Sequence, residues 1–234
     1  SAGKNKCIAI LNLGKIEKGK KNLIVFLHGD GSPNSPRPGI PKKSQIRFAK
    51  ELINDDNNIF LFARPGYFIR ERGSSEEDRY SSGPRNAIKS TVVNYDWKNF
   101  QILAPALQNL KKYYKPKKLI LIGHSGGAYQ GGTIHGKVPG LVDINILISC
   151  PCDWEIRKKL SNGKKWETKS QLKELKKNSP SFNYKDIDLK SLNILIVGKD
   201  DKNTAPGVSK YYYDLLKKKK LQVKLHIIDG GHGL

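Results

Sequence analysis

Leu119-Ile120-Leu121-Ile122-Gly123-His124-Ser125-Gly126-Gly127 is the stretch on which the reading of this chain turns. Four aliphatic residues in a row predict a strand covered on both faces. Gly-x-Ser-x-Gly follows at once, and a helical pattern to about His135 follows that. A strand that turns into a helix this tightly forces Ser125 into a strained backbone conformation and pushes its hydroxyl out beyond the sheet. Gly123 and Gly127 keep Cβ atoms out of the crowded turn. The helix N-terminus offers positive potential to developing negative charge. Ser125 is therefore the candidate nucleophile, and the backbone N–H of Gly126 a candidate oxyanion donor.

Around this turn, apolar runs alternate with helical patterns, which argues for βαβ units and a parallel sheet. Strands are expected at Cys7–Leu13, Leu23–Leu27, Ile59–Ala63, Leu119–Ile122, Ile144–Ser149, Ile194–Val197 and Val223–Ile228, the first two pairing as an antiparallel hairpin. Helices are expected at Gln45–Ile53, at Tyr95–Tyr114 with its end at Lys115-Pro116, and from Pro206 to about Lys219 with Thr204 as cap. Phe68–Asn94 reads as a long polar loop. Residues 152–191 read as a short cap-like insertion, in which Thr168-Lys169-Ser170-Gln171 opens a helix to Lys177.

Composition bounds the rest. A chain of 234 residues fits a single domain, 1–234, with a sizeable core. No apolar run reaches the roughly 18 residues of a membrane span. The net charge of +22 comes from lysines spread along the whole length. It lacks the clustered basic and aromatic pattern of a nucleic-acid module, so no nucleic-acid partner is expected. The three cysteines, Cys7, Cys150 and Cys152, make neither a disulfide framework nor a zinc site, and read as thiols at strand ends rather than a Cys150–Cys152 link. No metal or cofactor is expected. The start at Ser1-Ala2-Gly3, without methionine, fits either a cloning scar or a mature chain after signal removal, which leaves the compartment open between export, towards which it leans, and the cytoplasm.

Two further motifs complete the chemistry. His28-Gly29-Asp30-Gly31, at the end of a strand, can present a backbone N–H from Asp30 opposite that of Gly126. His28 then braces the loop, and the Asp30 carboxylate is expected to turn outward. Ile194-Leu195-Ile196-Val197-Gly198-Lys199-Asp200-Asp201 puts two carboxylates just past a strand, where a triad acid belongs in the order Ser, Asp, His. Here the chain resembles the α/β-hydrolase superfamily, and within it the dienelactone-hydrolase and prolyl-oligopeptidase-like branch, over about Leu23 to His232. The resemblance implies a mostly parallel sheet of about seven strands with helices on both faces. It also implies Asp201 as the acid, three residues after Gly198, with Asp200 as the fallback and Asp153 as a rarer alternative.

Of the five histidines, His232 alone follows the last strand, in Asp229-Gly230-Gly231-His232, and is the candidate base. Tyr67, His124 and Trp154 are the expected substrate contacts, with Trp166 beside Trp154 in the insertion. Arg64, Arg70 and Arg72 are candidates to meet a substrate carboxylate, but read first as structural or surface residues. The implied reaction is hydrolysis of small or medium carboxylic esters through an acyl-enzyme. A peptidase or amidase, and a non-catalytic binding protein on the same fold, are the alternatives.

Overall fold

The computed structural model describes residues 8–19, 21–30, 39–40, 43–65, 67–69, 73–74, 95–160 and 169–233. Their strands are β1 (Ile10–Leu13), β2 (Asn22–Leu27), β3 (Gly39–Ile40), β4 (Asn57–Phe62), β5 (Phe68–Ile69), β6 (Gly73–Ser74), β7 (Leu119–His124), β8 (Ile144–Ile148), β9 (Leu192–Gly198) and β10 (Gln222–Ile228). Seven of them form one sheet in the order β1-β4-β2-β7-β8-β9-β10, and β3, β5 and β6 form a small second one. Only the β1–β4 pair of the large sheet is antiparallel. This is the expected α/β-hydrolase fold.

The helices are α1 (Lys43–Glu51), α2 (Trp97–Phe100), α3 (Leu103–Tyr114), α4 (Gly126–Lys137), α5 (Trp154–Leu160), α6 (Lys169–Lys177), α7 (Pro180–Asn183) and α8 (Pro206–Lys218). Alternation along each strand sorts the core into two layers. Leu23, Val25 and Leu27 of β2 pack with α3 and α4, while Ile24 and Phe26 pack with Ala49 of α1 on the other face. Leu147 and Leu195 lie in register with Leu27 through Gly123, so α8, which covers them, shares the α3–α4 side.

Four expectations are corrected here. First, β1 does not pair with β2; β4 lies between them. Five of the six β2 residues are buried, which demands a neighbour on each side, whereas β1 is only half-buried and suits an edge. The connection is fastened as it crosses, because the Asn58 side chain bonds both the N–H and the carbonyl of Glu17. Second, the helix expected over Tyr95–Tyr114 is broken at Gln101-Ile102. Pro105 has no N–H to donate to Gln101, and its ring crowds that carbonyl.

Third, Thr204 does not cap α8; Ala205 stands at that position, and the Thr204 hydroxyl is used elsewhere. Fourth, Cys150 and Cys152 are disulfide-bonded. They follow β8 directly, and the turn after Ser149 brings their Cα atoms to 5.0 Å, inside the bridging range. Cys7, Gly31, Arg70, Arg72, Trp166, Thr168 and the segment 75–94 lie outside the described residues. No described helix is long and apolar enough to cross a membrane.

Candidate active site

The turn between β7 and α4 has the predicted strain. Ser125 takes φ 52° and ψ −116°, a left-handed conformation that an L-residue enters only at a cost of order 1–3 kcal/mol. Two bonds hold it there. Its N–H donates to the Ile148 carbonyl of the next strand, and its carbonyl accepts the first bond of α4 from Tyr129 N–H. The helix is pressed onto β2 so closely that a Cβ on Gly127 would overlap the Leu27 carbonyl oxygen.

Ser125 Oγ lies 2.9 Å from His232 Nε2. His232 Nδ1 lies 2.9 and 3.1 Å from the two carboxylate oxygens of Asp201. A carboxylate only accepts, so Nδ1 carries the proton and Nε2 is left as an acceptor for the serine hydroxyl. Asp201 is only 2% exposed and also accepts from the N–H groups of Asn203 and Thr204 and from the Thr204 hydroxyl. Burial alone would raise its pKa. The bonds from His232 and from Thr204 outweigh that and hold the carboxyl well below the usual range. The arrangement can pass a proton from Ser125 to His232 while Asp201 stays ionised.

The loop that carries His232 is tied down at several points. His124 Nε2–H donates to the His232 carbonyl at 2.9 Å, Asp200 N–H donates to Gly230, and Lys199 N–H donates to Ile228. His124, expected as a substrate contact, is therefore placed as a brace for the histidine loop. The Asp200 side chain is exposed and takes no part in holding His232. Asp153 serves elsewhere, capping Ile156 N–H of α5 and accepting from Ser181.

The Asp30 carboxylate does not turn outward. Arg64 is fully buried and donates to it at 2.6 Å, while the hydroxyls of Tyr67 and Tyr95 donate at 3.1 and 2.5 Å. A buried guanidinium demands a partner, and Asp30 supplies it. Burial, and then the Asp30 charge, push the Tyr95 pKa well above its ordinary value, so Tyr95 remains a donor. His28 Nδ1–H donates to the Gly29 carbonyl, leaving Nε2 to accept from Arg64 N–H, and Arg64 Nη1 donates to the His28 carbonyl. The loop from His28 to Asp30 is thus fixed from beneath.

This network abuts the nucleophile turn. A Cβ on Gly126 would stand 2.5–2.6 Å from Arg64 Nη1, Asp30 Oδ1 and Tyr95 Oη. Sequence reading missed it. The available signal was an arginine directly after the apolar run Ile59–Ala63, where an exposed role fits poorly. Tyr67 and Trp154, expected at the substrate, are 1% and 4% exposed. Tyr67 stacks edge-on against His28, and Trp154 packs with Tyr95 and Tyr129, so both support the site from below. Among the described residues no group of three His, Cys, Asp or Glu side chains could hold a metal ion.

The model of the prolyl oligopeptidase family matches residues 53–234. Among solved structures, Pyrococcus horikoshii acylaminoacyl peptidase is similar at 19% identity and a TM-score of 0.63, over 97% of this chain and 35% of that one. A Mycobacterium tuberculosis puromycin-hydrolyzing peptidase is similar at 15% identity and a TM-score of 0.67, over 97% and 34%. A Thermus thermophilus structure, 16% identical with a TM-score of 0.67, is matched over 97% of this chain and 87% of its own. The chain spans about a third of the length of those two peptidases. No curated protein sequence matches it.

Proposed function

The chain belongs to the prolyl oligopeptidase family and is a serine hydrolase, and we propose that Ser125, His232 and Asp201 are its triad, cleaving small acyl or peptidyl substrates through an acyl-enzyme. One observation carries this reading: an unbroken line of hydrogen bonds runs from the strained Ser125 through His232 to a buried, ionised Asp201.

In the first step Ser125 attacks the carbonyl and His232 Nε2 accepts its proton. Asp201 holds the imidazole in the Nδ1–H tautomer and supports the imidazolium. The tetrahedral oxyanion sits against the N–H of Gly126, at the start of α4 where the first N–H groups have no intrahelical partner, and against the N–H of Asp30. His232 then protonates the leaving group, and water repeats the sequence on the acyl-enzyme. The Asp30 carboxylate does not oppose the oxyanion, because Arg64 neutralises it.

Two linkages fit this machinery. Family membership favours a peptide or acylamino bond, as in the peptidases of similar fold. Small carboxylic esters are more reactive acyl donors and report the same residues. A fluorophosphonate probe should label Ser125 in peptide mapping. A matched ester and aminoacyl-anilide panel then ranks the linkages: a peptidase turns over the anilide as well as the ester, whereas an esterase turns over the ester alone. Ser125→Ala should lose at least ~10⁴-fold in kcat. Unchanged hydrolysis of short p-nitrophenyl esters by that variant would sink the proposal.

A further inference from the structure

Arg157, on α5, stands at the rim of this site. Its Nε donates to the Asn203 backbone carbonyl at 3.0 Å and its Nη2 to the Asn203 side-chain carbonyl at 2.5 Å. The Asn203 amide lies 3.1 Å from His232 Nε2, the atom that faces Ser125. On its other side Arg157 is near enough to Tyr95 for its charge to oppose the rise in that pKa, and the Tyr95 hydroxyl borders Gly126. The guanidinium is therefore one residue removed from the base, through Asn203, and stacks on Trp154, which packs against Tyr95 beside Gly126.

Three features suit it to hold an anion. The guanidinium lies 4.4 Å over the ring of Trp154, itself packed into the core, so its plane is fixed before any ligand arrives. Little rotamer freedom then remains to be lost on binding. Among the described residues it pairs with no carboxylate, whereas Arg64, Lys111, Lys176 and Lys199 each do. A guanidinium carries five N–H donors, and Asn203 occupies only two groups of them. The net charge of +22 adds a long-range pull on anions in the same direction.

We propose that Arg157 is a specificity-determining residue that binds a carboxylate on the substrate close to the scissile acyl group, so that acidic acyl or peptidyl substrates are preferred over neutral ones. The proposal rests on the serine-hydrolase reading with Ser125 as nucleophile. A bracing role for Arg157, steadying Asn203 beside His232, would instead affect all substrates alike, and the two are separable.

The test compares p-nitrophenyl succinate half-ester with its neutral amide counterpart on the same full chain. Wild type should favour the carboxylate substrate by about tenfold or more in kcat/KM, mainly through KM, the value of a charge-assisted hydrogen bond. The preference should shrink between 0.05 and 0.5 M NaCl as the pair is screened. Arg157→Gln should bring the ratio of the two substrates to about one, and Arg157→Lys should retain part of it. Circular dichroism and fluorophosphonate labelling of Ser125 in each variant show that fold and nucleophile survive. An equal loss on both substrates in Arg157→Gln, or a wild type that labels at Ser125 yet shows no preference, overturns the proposal alone. Absence of labelling in wild type overturns the hydrolase reading and this proposal with it.

Discussion

Asp201 accepts from His232, from two backbone N–H groups and from Thr204, and that surplus of donors keeps a buried carboxyl ionised. Asp201→Asn would preserve the shape but present an amide that cannot hold the Nδ1–H tautomer. Its kcat should fall about 10⁴-fold with the melting temperature little changed. His124 makes a subtler demand. Its Nε2–H is aimed at the His232 carbonyl, in a loop that backbone bonds from Lys199 and Asp200 also tie down. Gln can place an N–H near the same point; Leu cannot. His124→Leu should lower kcat about tenfold with little change in KM, and His124→Gln should recover most of that loss, as measured on one small ester. Equal losses in the two variants would show that ring packing, not the hydrogen bond, is what matters there.

The strand–turn–helix of β7 and α4 gathers the strain of the site into one place. Glycine is needed at 126 and at 127 for different reasons, and the difference is measurable. At 127 an added methyl meets the backbone of β2, which cannot yield without moving the sheet. At 126 it meets the side-chain atoms of Arg64, Asp30 and Tyr95, which can shift slightly but are locked to one another. Gly126→Ala should cost about 1–3 kcal/mol, and Gly127→Ala more. For a chain of this size each kcal/mol lowers Tm by about 2–4 °C, so thermal melts of the two variants should rank them in that order. Gly126→Ala should also slow ester hydrolysis beyond what its stability predicts, since it disturbs the loop that presents Asp30.

His135 links pH to the stability of the fold. It is fully buried and bonds to Ser191. Desolvation brings its pKa down to about 4 from 6.5. The unfolded chain therefore binds this proton first as pH falls. The folded state suffers no penalty above pH 6.5, loses stability progressively between 6.5 and 4, and is about 3 kcal/mol worse off below that from this one group. Urea titrations at pH 7 and pH 4.5 should show the loss, and His135→Gln, which keeps an N–H for Ser191, should flatten it. The architecture itself was open to reading because its evidence is local. Short apolar runs closed by a glycine, such as Leu119–Ile122 before Gly123, read as buried strands, and Gly-x-Ser-x-Gly between strand and helix carries its own geometry. From these the fold class and Ser125 could be read in the sequence alone; Asp201 came from the family resemblance, with Asp200 still open, and His232 from its place after the last strand. The sequence did not determine which strand lies beside which, because β2 satisfies β1 or β4 equally well on local grounds and only burial on both sides chooses. Nor did it determine the use made of Asp30, Arg64, Tyr95 and Arg157. Those groups meet across separations of 34, 65 and 46 residues, where no pattern along the chain records the contact. Tertiary structure decided them, because a buried charge can be satisfied only by whatever partner the packed chain brings within reach.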